Sequence, residues 1–107
     1  MFKLTPEQEE RAKGVHGGSV VVDTHNDTIL HLIRALPPRR TLGERSQDGQ
    51  IDIPRIKEGG VDVLLFAMYV SPQHRSRLRR LIQMLDVFHT EMEENPDTIA
   101  LATSYDE

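Results

Sequence analysis

A histidine and an aspartate separated by one residue, His25 and Asp27, are the side chains in this sequence best suited to chemistry. They follow three successive valines, which predict a buried β-strand at about residues 20–23. Because side chains alternate along an extended chain, His25 and Asp27 are expected on one face at the carboxyl end of that strand. An imidazole nitrogen and a carboxylate oxygen aimed at one point suit a borderline divalent metal such as zinc.

The triplet also has an ordinary structural interpretation, and the residues alone leave both open. In that interpretation His25 bonds to a carbonyl at the strand end, and Asp27 caps the helix that follows. Two neighbours are candidates for contacts behind the ligands. Asp23, on the same face but deeper, would orient His25 or serve a structural role, and Asn26 would support the pair from the opposite face.

The elements that must position this pair alternate between strand and helix. Further strands are predicted at residues 61–70, apolar enough to be covered on both faces, and at 99–102. The three strands should be adjacent and parallel, with a long helix packed across them. Capping signals predict helices at residues 5–14, 52–60 and 72–94 and a further helix start at Ser104. Apolar residues at helical spacing predict another helix at 28–36.

Three other features carry expectations. Pro37 and Pro38 should end the second helix, and the polar segment that follows to residue 50 should stand over the strand end. His31 is expected to be a partly exposed residue rather than a ligand. In the long helix, spacings of three and four predict one apolar face, formed by Leu78, Leu81, Ile82, Leu85, Phe88 and Met92.

That helix carries its charges in the reverse of the order that the helix dipole favours, with arginines first and glutamates last. The simpler account is a solvated face paired with neighbours. The alternative is that Arg75 and Arg79, at the helix end nearest the carboxyl ends of the strands, draw an anionic substrate group toward a site.

Composition sets limits on the class of protein. The 107 residues include 37% hydrophobic and 28% charged residues, as in an ordinary globular domain. A net charge of −4 argues against general affinity for nucleic acid or anionic membrane, and the lack of cysteine excludes disulfides and thiolate ligands. No apolar run has the length of a bilayer span or a secretory signal, so a cytoplasmic protein is the default expectation.

Two sequence blocks resemble one family. Residues 22–27, Val-Asp-Thr-His-Asn-Asp, resemble the first-strand motif of the membrane (renal) dipeptidase family of zinc peptidases. Residues 51–61, Ile-Asp-Ile-Pro-Arg-Ile-Lys-Glu-Gly-Gly-Val, resemble the segment that leads into that family's second strand. Residues 69–72 and 99–102 follow in the expected order, so the resemblance covers nearly the whole chain.

The resemblance implies a (β/α)8 (TIM) barrel that hydrolyses dipeptides at a site holding two zinc ions. His25 and Asp27 would be ligands of the first ion. The family also needs a bridging glutamate and two further histidines, which cannot be placed here. The α/β pattern of residues 1–107 therefore corresponds to the first two to three β/α units of a single barrel domain, and we expect an amino-terminal fragment, inactive alone, from a truncated gene, a partial gene model or a cut.

The expected partners are a dipeptide substrate and either the remainder of the barrel or another copy of the chain. A second function, of a different class, stays open: a non-catalytic module derived from the same family that interacts or oligomerises through exposed strand edges.

Overall fold

The computed structural model describes residues 3–34 and 39–104. Within them the elements follow in the order α1 (Pro6–Gly17), β1 (Val22–Asn26), α2 (Ile29–Leu32), α3 (Ile53–Gly59), β2 (Val63–Phe66) and α4 (Arg77–Glu94). β1 and β2 form a two-stranded parallel sheet. The fold is therefore mixed α/β, with parallel pairing as the sequence predicts for its first two strands.

The sheet contains an irregularity beside the candidate site. Val22 pairs with Val63 and Asp23 with Leu64, but Phe66 pairs with Asn26. Between these last two pairs β1 moves on by three residues and β2 by only two, so β1 holds one extra residue, which is a β-bulge. The extra residue exchanges the faces of the strand, so Asn26 rather than His25 takes the buried position opposite Phe66.

A small apolar core lies between α2, α3 and α4. It consists of the buried residues Ile29, Leu32, Leu42, Ile53 and Met84. Phe66 reaches this core from the sheet and meets Phe88 edge to face, with ring centroids 5.5 Å apart. The core thus joins the end of the sheet to one side of the long helix.

The side of α4 that faces the core differs from the predicted one. Met84 is fully buried and Val87 packs against the core, whereas Leu78, Ile82 and Leu85 are exposed. The helix has apolar residues on two neighbouring stripes, and spacing alone does not say which one a core will cover. The single predicted stripe was wrong for these three residues.

The capping residues predicted from the sequence are found at the start of α1 and at both ends of α3. Thr5 and Gln8 form a capping box at the start of α1. Asp52 caps α3 through the Arg55 amide, and Gly60 ends it in the left-handed conformation, with φ of 60°. A Cβ on Gly60 would also lie 3.0 Å from the His16 ring, which bonds to the Gly59 carbonyl at 2.7 Å and holds α1 against α3.

The strand boundaries require two corrections. β1 begins at Val22 rather than at residue 20, and Val20 is largely exposed, so the valine run is not a buried strand as a whole. β2 spans Val63–Phe66 and alternates between exposed and half-buried side chains, rather than being covered on both faces. Val63 and Leu65 face away from the core because the described helices pack on the other side of the sheet.

The predicted third strand at 99–102 does not form. Thr98 and Ile99 amides bond back to the Asn95 carbonyl in a turn, and Ile99 packs against the core, but residues 100–104 are exposed. A segment with two alanines buries little side-chain area, so pairing there gains little unless another layer covers it.

Helix ends also differ from the predictions. α4 begins at Arg77 instead of residue 72, since the Ser71 hydroxyl and carbonyl bond to the Gln73 and His74 amides in a local turn. α1 continues to Gly17 instead of stopping near residue 14. α2 is short, and its predicted end at Pro37–Pro38 lies outside the described residues, as does most of the predicted capping box at 104–107.

The segment from residue 39 to 51 is held by the helices. The buried Glu91 carboxylate of α4 accepts hydrogen bonds from the Leu42 amide at 2.7 Å and from Arg39 at 2.8 Å. The buried Asp52 carboxylate accepts the Ser46 amide, and Arg55 donates to the carbonyls of Ser46 and Gly49. Its described hydrogen bonds also reach His31 and Arg34, in and just after α2, through Asp48. The expectation that this segment stands over the strand end stays a prediction.

Candidate metal centre

His25 and Asp27 converge at the carboxyl end of β1. The His25 Nε2 and Asp27 Oδ2 atoms lie 3.5 Å apart, and the two side chains are 68% and 52% exposed. Donor atoms bound to one tetrahedral zinc at about 2.0–2.1 Å are separated by about 3.4 Å. The pair therefore has the spacing of two ligands of one ion, and solvent can reach it.

The alternative interpretation, in which His25 bonds to a carbonyl and Asp27 caps the next helix, is not observed. The His25 ring faces the Asp27 carboxylate, and α2 has no side-chain capping bond at its first position, Thr28. Asp27 contributes to the start of α2 through its backbone carbonyl, which accepts the Leu30 amide at 2.9 Å. The carboxylate thus remains available on the same side as the imidazole.

Asp23 and Asn26 occupy different supporting positions. One carboxylate oxygen of Asp23 accepts the His25 backbone amide at 3.1 Å, so Asp23 restrains the main chain next to the imidazole. Asn26 is 8% exposed and points into the sheet, where its Nδ2 donates to the Leu65 carbonyl and its Oδ1 accepts the Thr28 amide, both at 3.3 Å.

The donor set is consistent with a zinc ion but incomplete. Within the residues that the structure describes, no cluster of three or more His, Cys, Asp or Glu side chains could hold a metal. Catalytic zinc sites have three protein ligands, of which His25 and Asp27 would supply two. The residues present therefore fit part of one ion's ligand set.

The other predicted residues are Arg75, Arg79 and His31. Arg75, in the turn before α4, and Arg79, in the first turn of α4, are exposed, and the chain reaches this helix after leaving β2 at the same end of the sheet as Asn26. His31 is partly exposed, as predicted, and its Nδ1 contacts the Asp48 carboxylate at 3.1 Å. This bond, together with Arg34, holds the pKa of Asp48 below its usual value.

The buried carboxylate of Glu91 was missed in the sequence. Its position, three residues after Phe88 and seven after Met84, places it on the inward side of α4, and an acid at such a position was the available signal. Asp52 was identified as a cap, but its further bonds to Ser46 and to the Arg55 side chain were not.

A parallel β–α arrangement with a His–Asp pair at a strand end is typical of α/β enzymes, which place their functional side chains at that end of the sheet. The comparison with protein families makes this specific. The family model for membrane dipeptidases (peptidase family M19) matches residues 9–107. The chain belongs to this family, which is a family of metallopeptidases.

A curated relative agrees. The chain is 32% identical over 97 residues to "Dipeptidase ataJ" of Aspergillus terreus (strain NIH 2624 / FGSC A1156). The match takes in 78% of this chain but only 23% of the relative, so the chain spans about a quarter of the length of that protein. In the described part of the chain, none of the helices has both the length and the apolar character needed to cross a bilayer.

Proposed function

We propose that this chain carries the amino-terminal part of a metal-dependent dipeptidase, the first two to three β/α units of one (β/α)8 barrel domain. The observation that carries the proposal is the His25–Asp27 pair, 3.5 Å apart at a strand end, within a chain that matches the dipeptidase family. The parallel pairing of β1 and β2 supports the barrel, because barrel strands are parallel.

The metal is proposed to be zinc, with two ions in a complete site. His25 and Asp27 would hold part of the ligand set of one ion through Nε2 and Oδ2. When bound, the metal supplies Lewis-acid chemistry for hydrolysis of the peptide bond. The chain's own residues hold these two ligand atoms together, and Asp23 and Asn26 restrain the backbone on either side of His25.

The activity experiment uses a chimera, because two ligands do not complete a catalytic site. Residues of this chain replace the matched segment of the Aspergillus terreus dipeptidase, and release of free amino acid is measured with added Zn²⁺ on L-L and L-D dipeptides. The chimera should be active, and His25→Ala or Asp27→Ala should each reduce kcat/KM by at least about 100-fold. The 107-residue chain by itself should show no metal-dependent turnover.

His31→Ala is the matched control in the same chimera, since His31 also contacts an aspartate but lies in α2. It should retain activity within about threefold. Full activity of the His25→Ala chimera would contradict the ligand assignment, and turnover by the 107-residue chain would contradict the proposal that its site is incomplete.

Arg75 and Arg79 are proposed to attract the anionic carboxylate of a dipeptide. The exposure of both side chains supports this role, as does the position of Arg79 in the first turn of α4, where the helix dipole disfavours cations. In the active chimera, Arg75→Gln with Arg79→Gln should raise KM and weaken its dependence on salt, with kcat unchanged. An unchanged KM at low salt would contradict this role and would mean that the two arginines belong only to a solvated face.

A second candidate function is favoured by the exposed apolar surface. A groove of about 1030 Å³ runs along β2, α4 and residues 98–102 and is lined by residues that include Leu65, Phe66 and Leu85. A module that oligomerises would bury this groove against another copy. Sedimentation equilibrium should then show a dimer that Leu65→Lys disrupts and Val15→Lys, an exposed change on α1, does not; a monomer at all concentrations would exclude it.

A further inference from the structure

The direction of the two candidate ligands depends on the residue between them. Asn26 is 8% exposed, whereas the side chains of His25 and Asp27 on either side of it are mostly in solvent. Since neighbouring side chains on an extended strand point to opposite faces, burial of Asn26 turns both neighbours outward together. A side chain at position 26 that left the buried face would let them rotate away from each other.

Asn26 is buried at the bulge and bonded on both sides. Its Nδ2 donates to the Leu65 carbonyl of β2, and its Oδ1 accepts the Thr28 amide at the start of α2. Its own carbonyl accepts the Ala67 amide at 2.9 Å. Asn26 therefore links three segments at the place where β1 holds one residue more than β2.

The amide is the side chain that fits these contacts. The Leu65 carbonyl needs a donor and the Thr28 amide needs an acceptor, and an asparagine side chain offers both from one short stem. An aspartate would lack the donor, and an apolar residue would leave both backbone groups without this partner.

We infer that Asn26 is a positioning residue for the metal pair: its buried amide holds the bulge that aims His25 Nε2 and Asp27 Oδ2 at one point. This inference rests on the proposed function, because it assumes that the pair binds a metal. It goes beyond that function in assigning the orientation of the pair to a residue that touches no ligand atom of the metal.

The test uses the full 107-residue chain and Co²⁺ alone as the probe. Paramagnetic broadening of the His25 and Asp27 NMR signals is followed as Co²⁺ is added, with His31 as an internal reference. Asn26→Ala should weaken the apparent affinity at His25 by about tenfold or more. Asn26→Ser, which keeps a short donor and acceptor, should recover part of it, and the response of His31 should not change.

Loss of stability is separated from loss of positioning by a matched control. Asn95→Ala also removes an amide donor from a backbone carbonyl, that of Glu91, but at the far end of α4. It should lower the melting temperature comparably and leave Co²⁺ binding at His25 unchanged. Hydrogen exchange of the Thr28 amide should quicken in Asn26→Ala alone.

The outcomes separate the two claims. Selective broadening at His25 in the wild type that persists unchanged in Asn26→Ala overturns the positioning role and leaves the metal pair standing. Equal weakening by Asn95→Ala overturns it as well, because the effect would then follow stability. Absence of selective broadening at His25 in the wild type overturns the metal pair, and the inference with it.

Discussion

Asp52 illustrates how one buried carboxylate stabilises both a helix end and the segment before it. Its two oxygens accept the amides of Ser46 and Arg55 and the side chain of Arg55. Burial by itself would raise the pKa of this carboxyl, but these bonds outweigh burial and lower the pKa from 3.8 to about 2. The ionised form is therefore part of the folded structure.

A substitution at this residue tests that role through pH. Asp52→Asn should cost about 1–2 kcal/mol of unfolding free energy at pH 7. Because the folded pKa lies below the ordinary 3.8, the contribution is complete above that value and is lost as the pH falls through about 2. Urea unfolding followed by circular dichroism gives the free energy of unfolding of the variant and the wild type. The difference between them should shrink as the pH falls from 5 to 2, mostly between pH 3.8 and about 2. A constant difference would contradict the assignment.

At the scale of elements, α4 acts through its buried acid as much as through its apolar side. Glu91 is fully buried and joins the helix to the segment that contains Leu42, whose side chain is part of the core. Its partner Arg39 is only partly covered and also bonds to Glu94 at the surface. The two glutamates therefore differ in burial while sharing one cation.

The difference in burial predicts that substitutions of Glu91 and Glu94 have unequal effects on stability. Glu91→Ala should cost about 2–3 kcal/mol, because the Leu42 amide loses its acceptor in a buried place, whereas Glu91→Gln keeps an acceptor and should cost less. Glu94→Ala, the exposed control, should cost less than about 0.5 kcal/mol. The measurements are urea unfolding and hydrogen exchange of the Leu42 amide, and equal effects of the two alanine variants would refute the anchoring role.

The sheet supplies a second prediction at this scale. Sequence alone treats Leu65 and Phe66 as equivalent core residues of the second strand, but Leu65 is 50% exposed and Phe66 packs against Phe88. Phe66→Ala should cost about 2–4 kcal/mol and Leu65→Ala under about 1 kcal/mol. Thermal unfolding of the two variants side by side decides this, and a larger loss for Leu65 would mean that the exposed face of β2 is covered in solution.

At the scale of the whole molecule, the chain is extended for its size. The radius of gyration is 16.7 Å, against about 13 Å for a compact domain of about 100 residues. The core has few buried residues, while Val63, Leu65 and Leu85 are exposed and line an open apolar surface. Such a surface has few described contacts to cover it, which limits stability.

This surface should be detectable in solution. The wild-type chain should enhance ANS fluorescence under native conditions, and Leu65→Lys with Leu85→Lys, two exposed residues of the groove, should reduce the enhancement by about half or more while leaving the circular dichroism spectrum unchanged. Val15→Lys with Val20→Lys, two exposed changes near α1, should have a smaller effect. Equal reductions by both pairs would show that the dye does not bind at the groove.

Local signals in the sequence determined the features that depend on neighbouring residues. Thr5 with Gln8 predicted the start of α1, and Asp52 with Gly60 predicted both ends of α3, because capping uses atoms within a few residues of each other. The residues of the first-strand motif, with His25 and Asp27, predicted the family that the comparison then confirmed. The parallel pairing of the first two strands also followed from the order of strand and helix.

Tertiary structure alone decided what depends on contacts between distant segments. Burial selected Met84 over Leu78 and Ile82, since either stripe of α4 satisfies helical spacing and only the core's position chooses between them. The bulge at Asn26 arises from the register with β2, some forty residues away in the chain, and alternation within one strand carries no information about it. The segment 99–102 stayed out of the sheet for the same reason: pairing is stabilised by the layers that cover a strand, and those layers are not encoded in the strand's own residues.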